Sequence, residues 1–397
     1  MPLQKMRRTM GSRRKKTRQF SIANKTKLIR GGADYFDLLR RMISGASHTI
    51  HFQTYIFDAD ETGRAIADAL KEAAARKVCV FLLVDGYASQ SLPKDFLQEL
   101  EDAGIHFRFF QPFFKSREFY FGRRLHHKVV AIDNSCALVG GVNVSNKYND
   151  INGKPAWLDF AVHVEGPAAQ ELFSICLRTW KGIAPLPGNF RPVSPPPAYD
   201  PSFGHSAVRI SRNDWLRHRN QVSKTYGEIF TTSSNEITIL CSYFIPGAKM
   251  KKYIERAVKR GVKVRVIMAG MSDVKLSKNA ERFMYDWLLR NNVDIYEYTR
   301  NILHGKLAIC DKEWLTVGSY NINDLSAYGS IELNLDIRDK MLAKRASGMI
   351  DEIIKADCEH ITREQVEKAR SPLRQFVLWL SYQLVRLMFR LVTFDHK

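Results

Sequence analysis

The chain has 397 residues, 45% of them hydrophobic, enough for two α/β domains with full cores. Its 61 Lys and Arg against 41 Asp and Glu leave a formal net charge of +20, which implies an anionic partner, either nucleic acid or an acidic lipid surface. The six cysteines are dispersed, with no Cys-x-x-Cys pair, and several sit in apolar strand-like runs, so reduced core thiols of a cytoplasmic protein are the better reading.

In chain order, residues 1–30 read as a basic tail, with eleven Lys and Arg before the first acidic residue, Asp34. The tail has no apolar core of signal-peptide length, so export by that route and membrane spanning are not expected. Near an anionic leaflet each cation would contribute roughly 1 kcal/mol, and the alternative is a solvated arm. A first domain over 31–190 opens with a strand at 49–57. A helix (62–76), a strand (78–85), a helix (93–103) and a strand (105–110) follow. Residues 113–124 then interleave aromatics with cations, a composition suited to a lipid interface, to single-stranded nucleic acid or to a packed loop.

The Pro-rich run at 192–197 cannot sustain a helix or an interior strand, so 191–235 reads as linker and connecting segment. A second domain over 236–370 repeats the order of the first: strand 237–245, helix 248–260, strand 262–269, helix 277–291 and strand 293–298. This alternation predicts, twice, a largely parallel or mixed sheet with helices on both faces. Residues 371–397 read as an amphipathic helix, either at a membrane interface, with Trp379 and Tyr382 at headgroup level, or docked on the protein's own core.

Two copies of one pattern, His-x-Lys followed by Asp, carry the chemistry: His126, Lys128 and Asp133, then His304, Lys306 and Asp311. After equal gaps come Gly140-Gly141-Val142-Asn143 and Gly318-Ser319-Tyr320-Asn321. A random chain of this composition would show on the order of 0.05 matches to the three fixed positions. Successive strand residues face opposite ways, so a His and a Lys two apart share a face, and the apolar runs after them fit buried strands. Two such halves face to face would surround one anionic tetrahedral centre with two imidazoles, two ammonium groups and two Asn amides. Such a phosphoryl site needs no metal.

These residues resemble the phospholipase D superfamily, and flanking stretches such as Tyr55-Ile56-Phe57, Val84-Asp85-Gly86 and Trp157-Leu158-Asp159 look most like bacterial cardiolipin synthases, over roughly residues 30 to 370. Two departures are His127, often Arg in those synthases, and Gly-Gly where Gly-Ser is usual. The resemblance implies two pseudo-symmetric phospholipase D-like α/β/α sandwich domains, each with a mixed central sheet. It implies His126 as nucleophile and His304 as general acid and then base, with pKa values bracketing the working pH. Lys128, Lys306, Asn143 and Asn321 would hold the non-bridging oxygens, while Asp159 and Glu332 would orient the imidazoles. Asp133 and Asp311 belong to the catalytic pattern, although their place at strand ends also fits a supporting role. His127 should point to the opposite strand face.

The implied activity is transfer of a phosphatidyl group from one phosphatidylglycerol to another through a phosphohistidine, without cofactor, by a monomer peripheral to the cytoplasmic face of the cell membrane. Anionic phospholipid is favoured over nucleic acid as partner. Phospholipase D hydrolysis, a nucleic-acid phosphodiesterase and a non-catalytic membrane scaffold are the other readings.

Overall fold

The computed structural model describes residues 19–111, 123–183, 185–187, 199–217 and 219–393. Most of the aromatic and cationic stretch at 113–124, the first eighteen residues and the Pro-rich run lie outside them. In the first lobe β1 (Ser21–Arg30), α1 (Ala33–Ser44), β2 (Thr49–Thr54), α2 (Glu61–Ala75), β3 (Cys79–Asp85), α3 (Lys94–Asp102) and β4 (His106–Phe110) lead to β5 (Arg124–Leu125), β6 (Lys128–Ile132), β7 (Cys136–Gly140), β8 (Phe160–Glu165) and α4 (Pro167–Lys181). Its sheet is ordered β4–β3–β2–β6–β7–β8–β1, parallel from β2 to β4 and antiparallel elsewhere. Parallel neighbours need crossovers, which α2 and α3 supply, whereas a tight turn at Asp133–Ser135 suffices to join antiparallel β6 and β7.

The second lobe repeats this with β9 (Ser206–Asp214), β10 (Arg219–Asn220), α5 (Gln221–Thr232), β11 (Glu236–Cys241), α6 (Ala248–Lys259), β12 (Lys263–Ala269), α7 (Lys275–Phe283), α8 (Tyr285–Arg290), β13 (Val293–Tyr298), β14 (Lys306–Cys310) and β15 (Trp314–Gly318). Then come α9 (Asp324–Tyr328), β16 (Ser330–Arg338), α10 (Lys340–Asp357), β17 (Cys358–Ile361), α11 (Arg363–Lys368) and α12 (Pro372–Thr393). The sheet order is β9–β16–β15–β14–β11–β12–β13–β17. Each half thus has the expected mixed sheet with helices on both faces.

Among the described residues the three larger apolar clusters hold these layers. Leu39, Ile43, Leu70 and Leu100 of α1 to α3 cover the outer face of the first sheet around Phe52 and Leu82. Ile254, Leu288, Tyr382 and Val385 do the same for the second sheet around Val264 and Val266. The third cluster joins the lobes, bringing Val129, Phe160 and Leu172 together with Leu240, Leu307, Leu333 and Ile350. Each such Leu, fully buried, contributes roughly 1.5–3 kcal/mol relative to exposure, so the lobes are docked by a core and not merely tethered.

The structure departs from several sequence expectations. Residues 21–30, assigned to the tail, form β1, which pairs with β8 and also reaches β9, so it stitches the two sheets together. Lys25, Lys27 and Arg30 alternate outward while Ala23 and Ile29 are buried, so a half-solvated edge strand looks like a basic arm. The connecting segment 191–235 contains β9 and α5. β9 pairs along its length with β16 and at one end with β1, and its buried Arg209 is neutralised by Asp336 and Glu228, at 2.9 and 2.8 Å. The single helix expected at 277–291 is two, because the Met284 amide bonds the carbonyl of Glu281, three residues back, instead of continuing the α pattern. The strand expected at 49–57 stops at Thr54. All six cysteines are unpaired thiols. Among the described residues no helix is long and apolar enough to cross a membrane.

His51 is fully buried in β2, stacked 4.7 Å from Phe81, and neither ring nitrogen has a partner among the described residues. Burial brings it down to about 3. Because this lies below its unfolded value, the unfolded chain takes the proton first as pH falls, and stability declines from about pH 6.5 toward pH 3 at up to about 1.36 kcal/mol per pH unit. His51→Phe should flatten that dependence in denaturant titrations and, by removing two unpaired polar atoms, raise stability at pH 7 by about 1–3 kcal/mol.

Candidate active site

Each repeated pattern meets the opposite lobe at the seam. The His126 backbone N–H donates to Ile331 O of β16 at 3.1 Å, beside the parallel pairing of Leu125 with Ile331. His304 mirrors this, its N–H donating to Leu158 O at 2.8 Å next to the bridge between Leu158 and Leu303. On each opposite strand the next residue is a fully buried carboxylate. Glu332 takes the Nδ1–H of His126, with Oε2 at 2.9 Å and Oε1 at 3.0 Å. Asp159 Oδ2 takes the Nδ1–H of His304 at 2.6 Å. The pairing is crossed, each lobe's imidazole being aimed by the other lobe's carboxylate. An ionised carboxylate only accepts, so Nδ1 carries the hydrogen and Nε2 keeps its lone pair in both rings.

The ammonium groups sit beside these rings. Lys128 and Lys306 are 3% and 1% exposed. Lys128 Nζ donates to His126 O at 2.6 Å and lies 5.0 Å over the ring of Tyr55, which in turn meets the His126 ring edge-on at 4.8 Å. Lys306 Nζ donates to His304 O and stands 3.0 Å from Nδ1 of the same ring. Burial and the nearby Lys306 bring Lys128 down to about 7. Burial also lowers Lys306. Burial and Lys306 together bring His304 down to about 4, against the opposing pull of Asp159. Burial lowers His126 as well, with Glu332 opposing. Burial pushes Asp159 up, but Lys306 and the hydrogen bond from His304 outweigh it, so its net shift is downward and it stays ionised.

The two imidazoles therefore do not bracket neutral pH, and both are neutral in the protein alone. With Lys128 brought down to about 7, the charge of the two Lys and two carboxylates is poised near neutral pH. A phosphodiester monoanion bound there would raise Lys128 and both imidazoles, favouring the ammonium form and uptake of a proton by one ring.

The remaining expected residues divide. Asp133 and Asp311 stand at the far ends of β6 and β14, away from the imidazoles, in tight turns with φ of 50° and 52° followed by Asn134 and Lys312, also at positive φ. Asp133 accepts the N–H groups of Ser47, His48 and Thr49 at 2.7–2.9 Å. Asp311 accepts those of Ser234, Asn235 and Glu236 at 2.8–2.9 Å. Asp tolerates this backbone conformation and its carboxylate anchors the start of the neighbouring strand, so these two residues correct the catalytic expectation to a structural one. Asn143 is engaged by its own lobe: Oδ1 accepts Ile56 N–H at 3.1 Å and Nδ2 donates to Tyr148 Oη at 2.9 Å, leaving at most one N–H for a ligand. Asn321 accepts Ser242 Oγ at 2.8 Å, and its Nδ2 has no protein partner among the described residues. His127 lies on the opposite strand face, its Nε2 2.9 Å from Gln53 Oε1.

Several neighbours escaped the motif reading. Ser319 Oγ donates to Glu332. The equivalent Gly141 cannot be replaced so simply, because a Cβ there would lie 2.3 Å from Asp159 Oδ1, which explains the Gly-Gly tail. Tyr148 and Trp157 border the His304 ring, with centroids 5.1 and 6.2 Å away. Trp157 lay in a quoted stretch without a role, and Tyr148 had no signal beyond its nearness to Asn143. Among the described residues no three His, Cys, Asp or Glu side chains are arranged to hold a metal ion.

Comparison with known proteins agrees with this geometry. The family described as cardiolipin synthase, PLD-like domain, matches residues 39–160 and 228–354, one segment in each lobe. Cardiolipin synthase B of Escherichia coli K12 is 31% identical over 358 residues, covering 87% of this chain and 84% of that protein. Cardiolipin synthase 1 of Bacillus cereus is 29% identical over 344 residues, covering 85% and 67% respectively. The crystal structure of a phosphatidylserine synthase from Haemophilus influenzae superposes with a TM-score of 0.68 at 14% identity, covering 93% of this chain and 94% of that one, a likeness of fold.

Two substitutions separate orienting from structural carboxylates. Glu332→Gln keeps the shape but removes the charge that raises His126, so the acid limb of the rate profile should move to lower pH while kcat falls by about 10²–10⁴. Asp311→Ala should cost about 1–3 kcal/mol in denaturant titrations, with kcat per folded molecule within about twofold of the parent.

Proposed function

Because the chain belongs to the cardiolipin synthase family of phospholipase D-like proteins, we propose that it is a phosphatidyltransferase that joins two phosphatidylglycerol molecules into cardiolipin and releases glycerol. The observation that carries this reading is the crossed arrangement of His126 with Glu332 and His304 with Asp159, with Lys128 and Lys306 beside them. Nε2 of His126 attacks phosphorus, forming a P–N bond as the P–O bond to the glycerol headgroup breaks and His304 delivers its proton to the departing oxygen. His304, now neutral, takes the proton of a hydroxyl on the second phosphatidylglycerol as that oxygen attacks and the P–N bond breaks.

Lys128, Lys306 and the amide of Asn321 stabilise the charge that builds on the non-bridging oxygens, with one N–H of Asn143 at most. Two steps through a phosphohistidine conserve the phosphate ester, so the reaction needs no nucleotide or other cofactor. In this reading the chain acts as a monomer, since both half-sites are in one polypeptide, and works peripherally at the cytoplasmic face of the cell membrane. The six unpaired thiols support that side.

Purified protein given vesicles of labelled phosphatidylglycerol should yield cardiolipin and glycerol in equal amounts. Phosphatidic acid as the main product would replace transfer by hydrolysis, and nicking of plasmid DNA without lipid turnover would reject the lipid reading. His126→Ala should abolish an acid-labile phosphoprotein, and His304→Ala should lower turnover by about 10²–10⁴. Phosphohistidine formed by the first variant and not by the second would reverse the two roles.

A further inference from the structure

α12 carries two apolar stripes where docking on the protein needs one. Leu378, Tyr382 and Val385, at helical spacing, are buried along α7 and α9, and Tyr382 lies 4.9 Å from the ring of Phe283. On the opposite side Leu373, Phe376, Leu380, Leu384, Leu387 and Leu391 recur at steps of three and four residues, and their exposure runs from 40% at Leu380 to 75% at Leu373. The first stripe completes the core of the second lobe. The second stripe does nothing for the fold, and so long an apolar surface is a liability in water.

Its margins are basic. Arg386 and Arg390 flank the stripe together with Trp379, the Arg386 guanidinium lying 5.5 Å from the Tyr382 ring, and Lys251 of α6 bonds Tyr382 Oη at 3.3 Å. An apolar ridge with a cationic rim, on a chain of net charge +20, complements an anionic leaflet, whose phosphates meet the cations while its acyl chains cover the leucines. The ridge is also tied to the cleft. α7, on which α12 lies, begins two residues after Asp273, whose carboxylate accepts the hydroxyl of Tyr243, and there Met271 and Val274 are 50% and 42% exposed.

We propose that the exposed stripe of α12 lies in the surface of an anionic phospholipid bilayer and seats the cleft over the leaflet that supplies its substrate. The seating stands on the helix alone, and the supply of substrate rests on the phospholipid reading above.

The full chain and the variant Leu380→Ser/Leu384→Ser/Leu387→Ser are floated with vesicles of phosphatidylglycerol and phosphatidylcholine, and each is assayed on phosphatidylglycerol dispersed in detergent. The variant should lose vesicle binding by at least about tenfold and keep its turnover in detergent. In vesicles whose acyl chains are brominated, part of the tryptophan emission should be quenched, and Trp379→Phe should remove that part. Equal flotation of parent and variant, absence of quenching assignable to Trp379, or a dimer of the parent that the triple variant converts to monomer would each overturn the proposal, the last by making the stripe an interface between copies. Failure of the parent to turn over dispersed phosphatidylglycerol would count against the function above and leave the flotation result standing.

Discussion

The site depends on two hydrogen-bonded pairs that cross the seam, His126 with Glu332 and His304 with Asp159. Both carboxylates are fully buried, where a lone negative charge would cost several kcal/mol. Each is compensated by groups of the other lobe, His304 and Lys306 for Asp159 and His126 and Lys128 for Glu332, and Asp159 also accepts the backbone N–H of its own neighbour Phe160. The backbone bonds from His126 to Ile331 and from His304 to Leu158 fix the register, and the shared apolar cluster fixes the separation. The core between the lobes and the catalytic constellation are thus one structure. A change in the packing of Leu333 or Phe160 acts on the imidazoles directly, because each neighbours one of the orienting carboxylates in sequence.

The duplication is close in backbone and unequal in side chains. His126 is faced by Tyr55 of its own lobe, which also receives Lys128, whereas the equivalent Tyr243 is drawn off to Asp273. His304 is instead walled by Tyr148 and Trp157 of the opposite lobe. Ser319 tightens Glu332, while Gly141 leaves Asp159 to a backbone amide. Two copies of one motif thereby sit in different surroundings, the condition under which chemically identical groups take different roles in one reaction.

Much of this was legible in the residues. The paired motifs, the strand alternation that puts His and Lys on one face, and the twice-repeated βα order all follow from local periodicity, and local periodicity is what a sequence displays. Asp159 and Glu332 came through resemblance, because their meeting with the imidazoles is a fact of topology across well over a hundred residues. Asp133 and Asp311 were drawn toward the chemistry by membership of the motif, yet Asp133-Asn134 after an apolar run is itself a turn signal. β1 and β9 were missed for two physical reasons: the cations of β1 are exposed and make a half-buried strand look like a basic arm, whereas Arg209 of β9 is buried and neutralised chiefly by Asp336, a partner far along the chain. α12 was read as either docked or interfacial, and its two stripes explain why one helix supported both descriptions.

The crossing also restricts how the protein can move. In many two-lobed enzymes a hinge opens to admit substrate and shuts for reaction. Here a hinge would tear both imidazoles from their orienting partners at once and expose the apolar core that the lobes share, so wide opening is energetically closed to this architecture. Traffic in and out of the cleft must pass along its rim, by shifts of surface loops above a frame that never parts.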